Sequence, residues 1–199
     1  MNIFLHVGCG SNTKKQTTPG FSTVDWEEVR LDIDERVIPD IVGSMTDLSS
    51  IESNKFDAIF SSHNIEHLYP HQVGTTLKEF RRVLRPSGFI VITCPDLIAT
   101  AKLVADDKLT DTAYISPVGA ITPLDILYGH IKSLENGDYY MAHKTGFSEK
   151  SLRNELRLAG FSRSATCSRP SNLDIWALAT KEIVSNEDLL SLFKEFCGV

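Results

Sequence analysis

Short apolar runs, separated by polar turns and amphipathic stretches, fill the first two thirds of the chain. That alternation predicts a parallel sheet covered by helices. The runs are IFLHVG (3–8), VRLDID (29–34), DIVGSM (40–45), FDAIFSS (56–62) and GFIVITC (88–94). Each is short and largely apolar, as strands buried on both faces are. Between the fourth and fifth runs Val73, Leu77, Phe80 and Leu84 recur at helical spacing, and Pro86 with Gly88 ends the period. This spacing predicts a crossover helix.

A second helical stripe, Leu152, Leu156 and Ala159, follows Ser148 and Glu149 and stops at Gly160. It has a capping side chain at one end and a glycine stop at the other. FSRSATCS (161–168) and LDIWALAT (173–180) come next, with the turn residues Pro170, Ser171 and Asn172 between them. So short a connection predicts antiparallel neighbours. The expected fold is therefore α/β, a doubly wound, mostly parallel seven-stranded sheet with an antiparallel last strand pair. From about 97 to 144 the pattern changes, because Pro117, Gly119, Pro123, Gly129 and Gly137 break any long period. This segment reads as an insertion over the sheet edge, where lids and substrate walls are built. Near the C-terminus Leu189, Phe193 and Phe196 keep helical spacing. A helix there packs back on the sheet, or offers an exposed stripe to a second copy in a homodimer.

A chain of 199 residues suits one domain, 1–199, with one site. The net charge of −6, with no cationic run longer than Lys14-Lys15 or Arg81-Arg82, argues against nucleic acid as the main partner. The apolar runs are far below the ~20 residues of a membrane span, and the N-terminus MNIFLHVGCG lacks a basic leader, so a cytoplasmic protein is expected. Cys9, Cys94, Cys167 and Cys197 are scattered without a C-x-x-C pair, which indicates neither a disulfide framework nor a zinc knuckle.

In FLHVGCGSN (4–12), Gly8 and Gly10 stand where the first strand ends. Glycine there lets backbone N–H groups approach a ligand closely, although a tight turn alone would also explain it. Asp32 ends the next strand about 20 residues on, where a carboxylate can accept the hydroxyls of an adenosine ribose. The dinucleotide fingerprint requires a third glycine where Thr13 stands. The stretch SNTKKQTTPGF (11–21) also has no apolar stripe for a helix whose N-terminus could hold a pyrophosphate. A cofactor without phosphates fits better than NAD.

These segments, together with IVGSMTDL (41–48), FDAIFSSHNIEHLYP (56–70), LKEFRRVLRPSGFIVITCPDL (77–97) and HKTGFSEKSLRNELRLAGF (143–161), resemble class I methyltransferases dependent on S-adenosylmethionine (SAM) in order and spacing. The resemblance covers nearly the whole chain and implies the Rossmann-like methyltransferase fold with SAM as cofactor. It implies that Gly8, Cys9 and Gly10 pass the methionine part of SAM, that Asp32 takes the ribose hydroxyls, and that Ser44 and Met45 flank the adenine. Ser61, Ser62 and His63 would line the transfer site. The chain departs from the family pattern at His6 and Ser44, where many relatives carry acids; Asp47 is a substitute for the second. Asp25 is an alternative ribose ligand.

SSHNIEHLYP (61–70) is the chemically richest segment. His63 or His67 could act as general base, since imidazole titrates near neutrality; Glu66 and His67 could instead only cap the next helix. The same letters spell H-x-x-E-H, the inverted zincin signature, which needs a helix already running at His63. A zinc metallohydrolase is thus a remote alternative, and no metal is expected. His130 and His143, in or beside the insertion, are further catalytic candidates for an acceptor pocket. The expected activity is methyl transfer to a small molecule, with a non-catalytic SAM sensor or scaffold as the competing class.

Overall fold

The computed structural model describes residues 1–198; Val199, the last residue of the expected domain, lies outside the described residues. The strands are β1 (Asn2–Val7), β2 (Trp26–Asp32), β3 (Ile41–Val42), β4 (Phe56–Ser62), β5 (Leu84–Pro95), β6 (Tyr114–Ser116), β7 (Gly119–Ile121), β8 (Arg163–Arg169) and β9 (Asp174–Thr180). The helices are α1 (Pro70–Val83), α2 (Leu97–Ala105), α3 (Pro123–Tyr128), α4 (Ile131–Glu135), α5 (Glu149–Leu158) and α6 (Asn186–Cys197). One seven-stranded sheet runs in the order β3-β2-β1-β4-β5-β9-β8. Strands β1 to β5 pair in parallel, and β9 runs antiparallel to both β5 and β8. This is the α/β sheet that the hydrophobic pattern predicts.

Alternation along the strands sends neighbouring side chains to opposite faces. Leu5, Val7, Ile59, Ile90 and Ile92 join one core with Val73, Leu77 and Phe80 of α1 and Leu152 and Leu156 of α5. Phe4, Ala58, Phe60, Phe89 and Val91 join the other. There Phe21 comes from the connection between β1 and β2, and Phe193 and Phe196 come from α6. That connection holds only a single 3-10 turn, Lys14–Gln16, as its lack of an apolar stripe suggests. Phe21 lies 4.6 Å from Phe4 and 4.9 Å from Phe196, ring centre to ring centre, so a loop aromatic and the C-terminal helix occupy the space of a first crossover helix. A Cβ at Gly20 would come within 2.7 Å of the Phe196 ring, so the close fit needs glycine. The apolar stripe of α6 is thereby buried within the chain, which removes the reason for expecting a second copy on it.

Some boundaries differ from expectation. Leu84, expected in the helical stripe, is the first residue of β5. Pro86 biases the residue before it away from helical backbone, and α1 ends at Val83. The third strand shrinks from 40–45 to Ile41–Val42, because the Ser44 hydroxyl accepts from the N–H of Thr46 and folds the chain into a turn. Asp34, expected inside the second strand, instead caps a 3-10 turn by accepting from the N–H of Arg36.

The segment 97–144 contains more regular structure than its breakers suggest. Asp96 caps α2 through the N–H groups of Ile98 and Ala99, β6 and β7 form a hairpin, and α3 and α4 follow. Ala99, Ile121, Ile126 and Leu173 form a small core of their own. No helix of the described residues is long and apolar enough to cross a membrane.

Candidate active site

The strand order reverses between β1 and β4, and in open α/β sheets the ligand crevice lies outside the C-terminal strand ends at that point. Gly8 and Gly10 stand there in left-handed backbone, with φ of +61° and +54°. At Gly8 the close approach is to Asn64: a Cβ would lie 2.0 Å from its Oδ1. Asn64 Nδ2 donates to the carbonyls of Val7 at 2.8 Å and Ser62 at 3.0 Å, clamping the ends of β1 and β4 together. At Gly10 a Cβ would meet no protein atom, so that side of the turn is open.

The Gly10 N–H donates to Asp32 Oδ2 at 2.7 Å, and the Asp34 N–H donates to Asp32 Oδ1 at 2.9 Å. Both bonds hold the carboxylate at the crevice, and each oxygen keeps capacity to accept from a ligand. Arg30 braces the turn from below, donating from Nη2 to the Gly10 carbonyl at 2.6 Å and from Nε to the Asn12 carbonyl at 3.1 Å. Asp25 lies at the opposite sheet edge, its carbonyl accepting from the N–H of Asn2 at the start of β1. The six residues of β1 separate it from the glycine turn by about 20 Å. The alternative assignment of the ribose acid to Asp25 therefore fails on distance.

Cys9 is buried and its thiol is pushed up to about 11 by burial, so it offers backbone rather than a nucleophile. His6 is also buried, with Nδ1 2.7 Å from Glu28 Oε1. Burial pushes this imidazole below its ordinary range, against the pull of Glu28. Ser44 Oγ lies 2.8 Å from Thr46 Oγ1, and Met45 packs on the α1 side of the sheet. Asp47 is exposed and accepts from the Ser49 N–H, which holds its carboxyl below the usual range. Ser61 is buried beside Asn64, while Ser62 Oγ lies 2.8 Å from Thr93 Oγ1.

Beyond β4, His63 takes left-handed backbone with φ +53°, and only a 3-10 turn, Ile65–His67, follows. The helix required by the H-x-x-E-H arrangement is absent. The His63 side chain is 47% exposed, with Nδ1 3.5 Å from Glu66 Oε1. Glu66 is only 1% exposed, and neither carboxylate oxygen has a hydrogen-bond partner among the described residues. The His67 and His143 rings stand 4.9 Å apart beside it. Glu66, His67 and His143 each present a ligand atom, all within 4.8 Å of one another. The pull of burial on the Glu66 carboxyl is upward, but His63, His67 and His143 outweigh it and hold the group below its usual range. For His63, burial opposes the charge and Glu66 overcomes it, raising the imidazole. His143 is lowered, chiefly by burial.

The end of the 97–144 segment is laced onto this turn. The N–H groups of Lys144 and Thr145 donate to the Glu66 carbonyl at 2.9 and 3.1 Å, and Lys144 Nζ donates to the His67 carbonyl at 3.1 Å. His130 stands outside the cluster, its Nδ1 2.8 Å from Ser133 Oγ at the start of α4. The structure thus brings His63, His67 and His143 together around Glu66 and leaves His130 out. Sequence reasoning missed the clamp by Asn64 and the brace by Arg30. Nothing local marked either role, since each side chain holds backbone from a distant stretch of the chain.

Residues 5–92 match the model of a family described as a methyltransferase domain. No curated protein sequence matches the chain. Among solved structures, a protein from Pyrococcus horikoshii OT3 superposes with a TM-score of 0.62 at 19% identity, covering 91% of this chain and 82% of its own. A SAM-dependent methyltransferase from Methanosarcina mazei gives 0.58 at 18% identity, covering 92% of this chain and 93% of its own. The Burkholderia thailandensis 1,6-didemethyltoxoflavin-N1-methyltransferase, crystallised with 1,6-didemethyltoxoflavin and S-adenosylhomocysteine, gives 0.56 at 17% identity, covering 92% and 72%. The family match is confined to residues 5–92, and the solved structures share the fold over more than nine tenths of the chain.

Proposed function

We propose that the crevice outside β1 and β4 binds SAM and that its methyl group passes to a small-molecule acceptor held under the 97–144 segment. The observation that carries this reading is the convergence of the open Gly8–Gly10 turn, the backbone-held Asp32 carboxylate and the exposed His63 where the strand order reverses. When bound, SAM supplies a methyl group already activated on a sulfonium. The backbone of Gly8, Cys9 and Gly10 receives its methionine part, and the free space at Gly10 fits a ligand there. Asp32 accepts the ribose hydroxyls, and Ser44 and Met45 flank the adenine. Ser61 and Ser62 form the floor of the transfer site. His63 stands exposed at the strand end and takes the acceptor's proton where one must be lost. The rate enhancement comes mainly from aligning donor and acceptor.

A small acceptor is supported by the net charge of −6 without a long cationic run, and by the small acceptor that the B. thailandensis protein holds in the same fold. The 97–144 segment, hydrogen-bonded to the turn after β4, serves as the acceptor wall of a single domain. Four free cysteines suit a reducing cytoplasm. The test is calorimetric titration with SAM and with S-adenosylhomocysteine, followed by methyl-transfer assays across chemically broad small acceptors. Micromolar binding, about 8 kcal/mol, with turnover of at least one acceptor is the expected result. Absence of binding to both ligands overturns the reading, and binding without any turnover replaces it with a SAM sensor.

A further inference from the structure

We propose that Glu66, His67 and His143 form a binding site for a divalent transition-metal ion of the zinc class, beside the acceptor side of the crevice. The three ligand atoms lie within 4.8 Å of one another. Donors on one zinc ion stand about 2.0–2.2 Å from it, hence roughly 3.3–3.5 Å apart at tetrahedral angles. Closing the observed cluster needs side-chain movements of about an ångström, not a rearrangement of the chain.

Independent features point at the same centre. A buried carboxylate without partners is costly, and both Glu66 oxygens are buried without a hydrogen bond. Among the described residues no lysine or arginine pairs with it; its neighbours are imidazoles. A cation at the centre would remove that cost. Both histidines also have a backbone carbonyl against one ring nitrogen, as metal-ligating histidines commonly do. His67 Nδ1 stands 3.1 Å from the Ala142 carbonyl, and His143 Nδ1 stands 2.7 Å from the Ile126 carbonyl. A carbonyl on Nδ1 sets the proton there and leaves Nε2 as the free donor, the arrangement that supports ligating histidines.

The frame around the ligands is built. Gly129, at φ +100°, lets the chain at Met141 and Ala142 cross over it, since a Cβ there would lie 2.0 Å from the Met141 carbonyl oxygen. That crossing sets the Ala142 carbonyl against His67, and the His143 N–H bonds the Tyr128 carbonyl at 3.1 Å. Two imidazoles and one carboxylate, with no thiolate, suit zinc, cobalt or nickel better than calcium or magnesium, which take oxygen donors. His67 and His143 are partly exposed, so an ion has a path in, and three protein ligands leave a coordination position free. This set differs from the H-x-x-E-H arrangement: Glu66 is a ligand, and His143 rather than His63 is the second histidine. The ion would pin the 97–144 segment to the turn after β4. The site does not depend on the methyltransferase reading; only its acceptor-facing role does.

The experiment uses the full chain stripped by chelator and dialysed. Cobalt(II) is titrated in, followed by its visible absorption, and zinc is then added in competition. Expected are one cobalt per chain, displacement by zinc, and affinity lowered by at least ~100-fold in both Glu66→Gln and His143→Ala. His71→Ala, which changes an exposed histidine outside the cluster, should bind as the parent does. Melting curves verify folding, and should His143→Ala not fold, the near-isosteric Glu66→Gln decides. The proposal is overturned if the folded parent binds neither ion stoichiometrically, or if binding survives in Glu66→Gln; the Glu66 charge is then balanced by protonated histidine. Titration with S-adenosylhomocysteine is run in parallel. Failure there with cobalt binding intact removes the methyltransferase reading and leaves the ion site standing.

Discussion

Asp32 joins local structure to ligand chemistry: its carboxylate accepts from Gly10 and Asp34 N–H groups, and the same bonds turn it toward the crevice. Replacing it with alanine removes the support for the turn and, under the proposed function, the acceptor for the ribose. With hydrogen bonds to a charged group contributing about 1.5–3 kcal/mol, Asp32→Ala should weaken S-adenosylhomocysteine binding roughly 10- to 100-fold by calorimetry. A folded variant with unchanged affinity would move the ribose contact to another residue. Asp32 and the glycines are legible in the sequence, because a turn after a strand and an acid at the next strand end are local signals. Asn64 and Arg30 are not, since what each holds is backbone from a distant stretch: Val7 for one and Gly10 for the other. The same limit applies to His143, whose meeting with Glu66 depends on the chain crossing at Gly129.

Among the elements, α1, α5 and the β8–β9 pair stand where the hydrophobic periods put them, because each carries its own period and its own stop. The side of the sheet lined by Phe4, Phe60 and Phe89 was less legible. Its cover is shared between a loop phenylalanine and the last helix, and no local pattern reveals that Phe21 and Phe196 meet. Phe196 also lies 4.7 Å from Phe89 and 5.6 Å from Trp26, ring centre to ring centre, and is 4% exposed. Truncating a buried phenylalanine to alanine costs about 3–5 kcal/mol, through lost burial and the cavity left behind. Phe196→Ala should show that loss in urea unfolding with an unchanged slope. A loss under about 1 kcal/mol would mean that α6 is dispensable to this core.

In the whole molecule, the strand order decides where the chemistry lies. Reversal between β1 and β4 brings residues near positions 8, 32 and 63 to one edge, and the 97–144 segment returns to the same edge through Lys144 and Thr145. A ligand gripping several of these parts stabilises the folded state by mass action. S-adenosylhomocysteine at 100 times its dissociation constant contributes about 2.7 kcal/mol. At roughly 2–4 °C per kcal/mol for a chain of this size, the melting temperature should rise by about 5–11 °C. A melting curve unmoved by saturating ligand would contradict binding to the native state. The sequence by itself determined the α/β class, the run of strands and helices, and the glycine turn with its acid, because these follow from periodicity and from short-range turn chemistry. Only the tertiary structure decided that Asp25 is remote, that α6 replaces a crossover helix, and that Glu66 is buried without a hydrogen bond among His63, His67 and His143. Those outcomes depend on contacts between residues far apart in the chain, which packing of the sheet and its crossings establishes and no local pattern encodes.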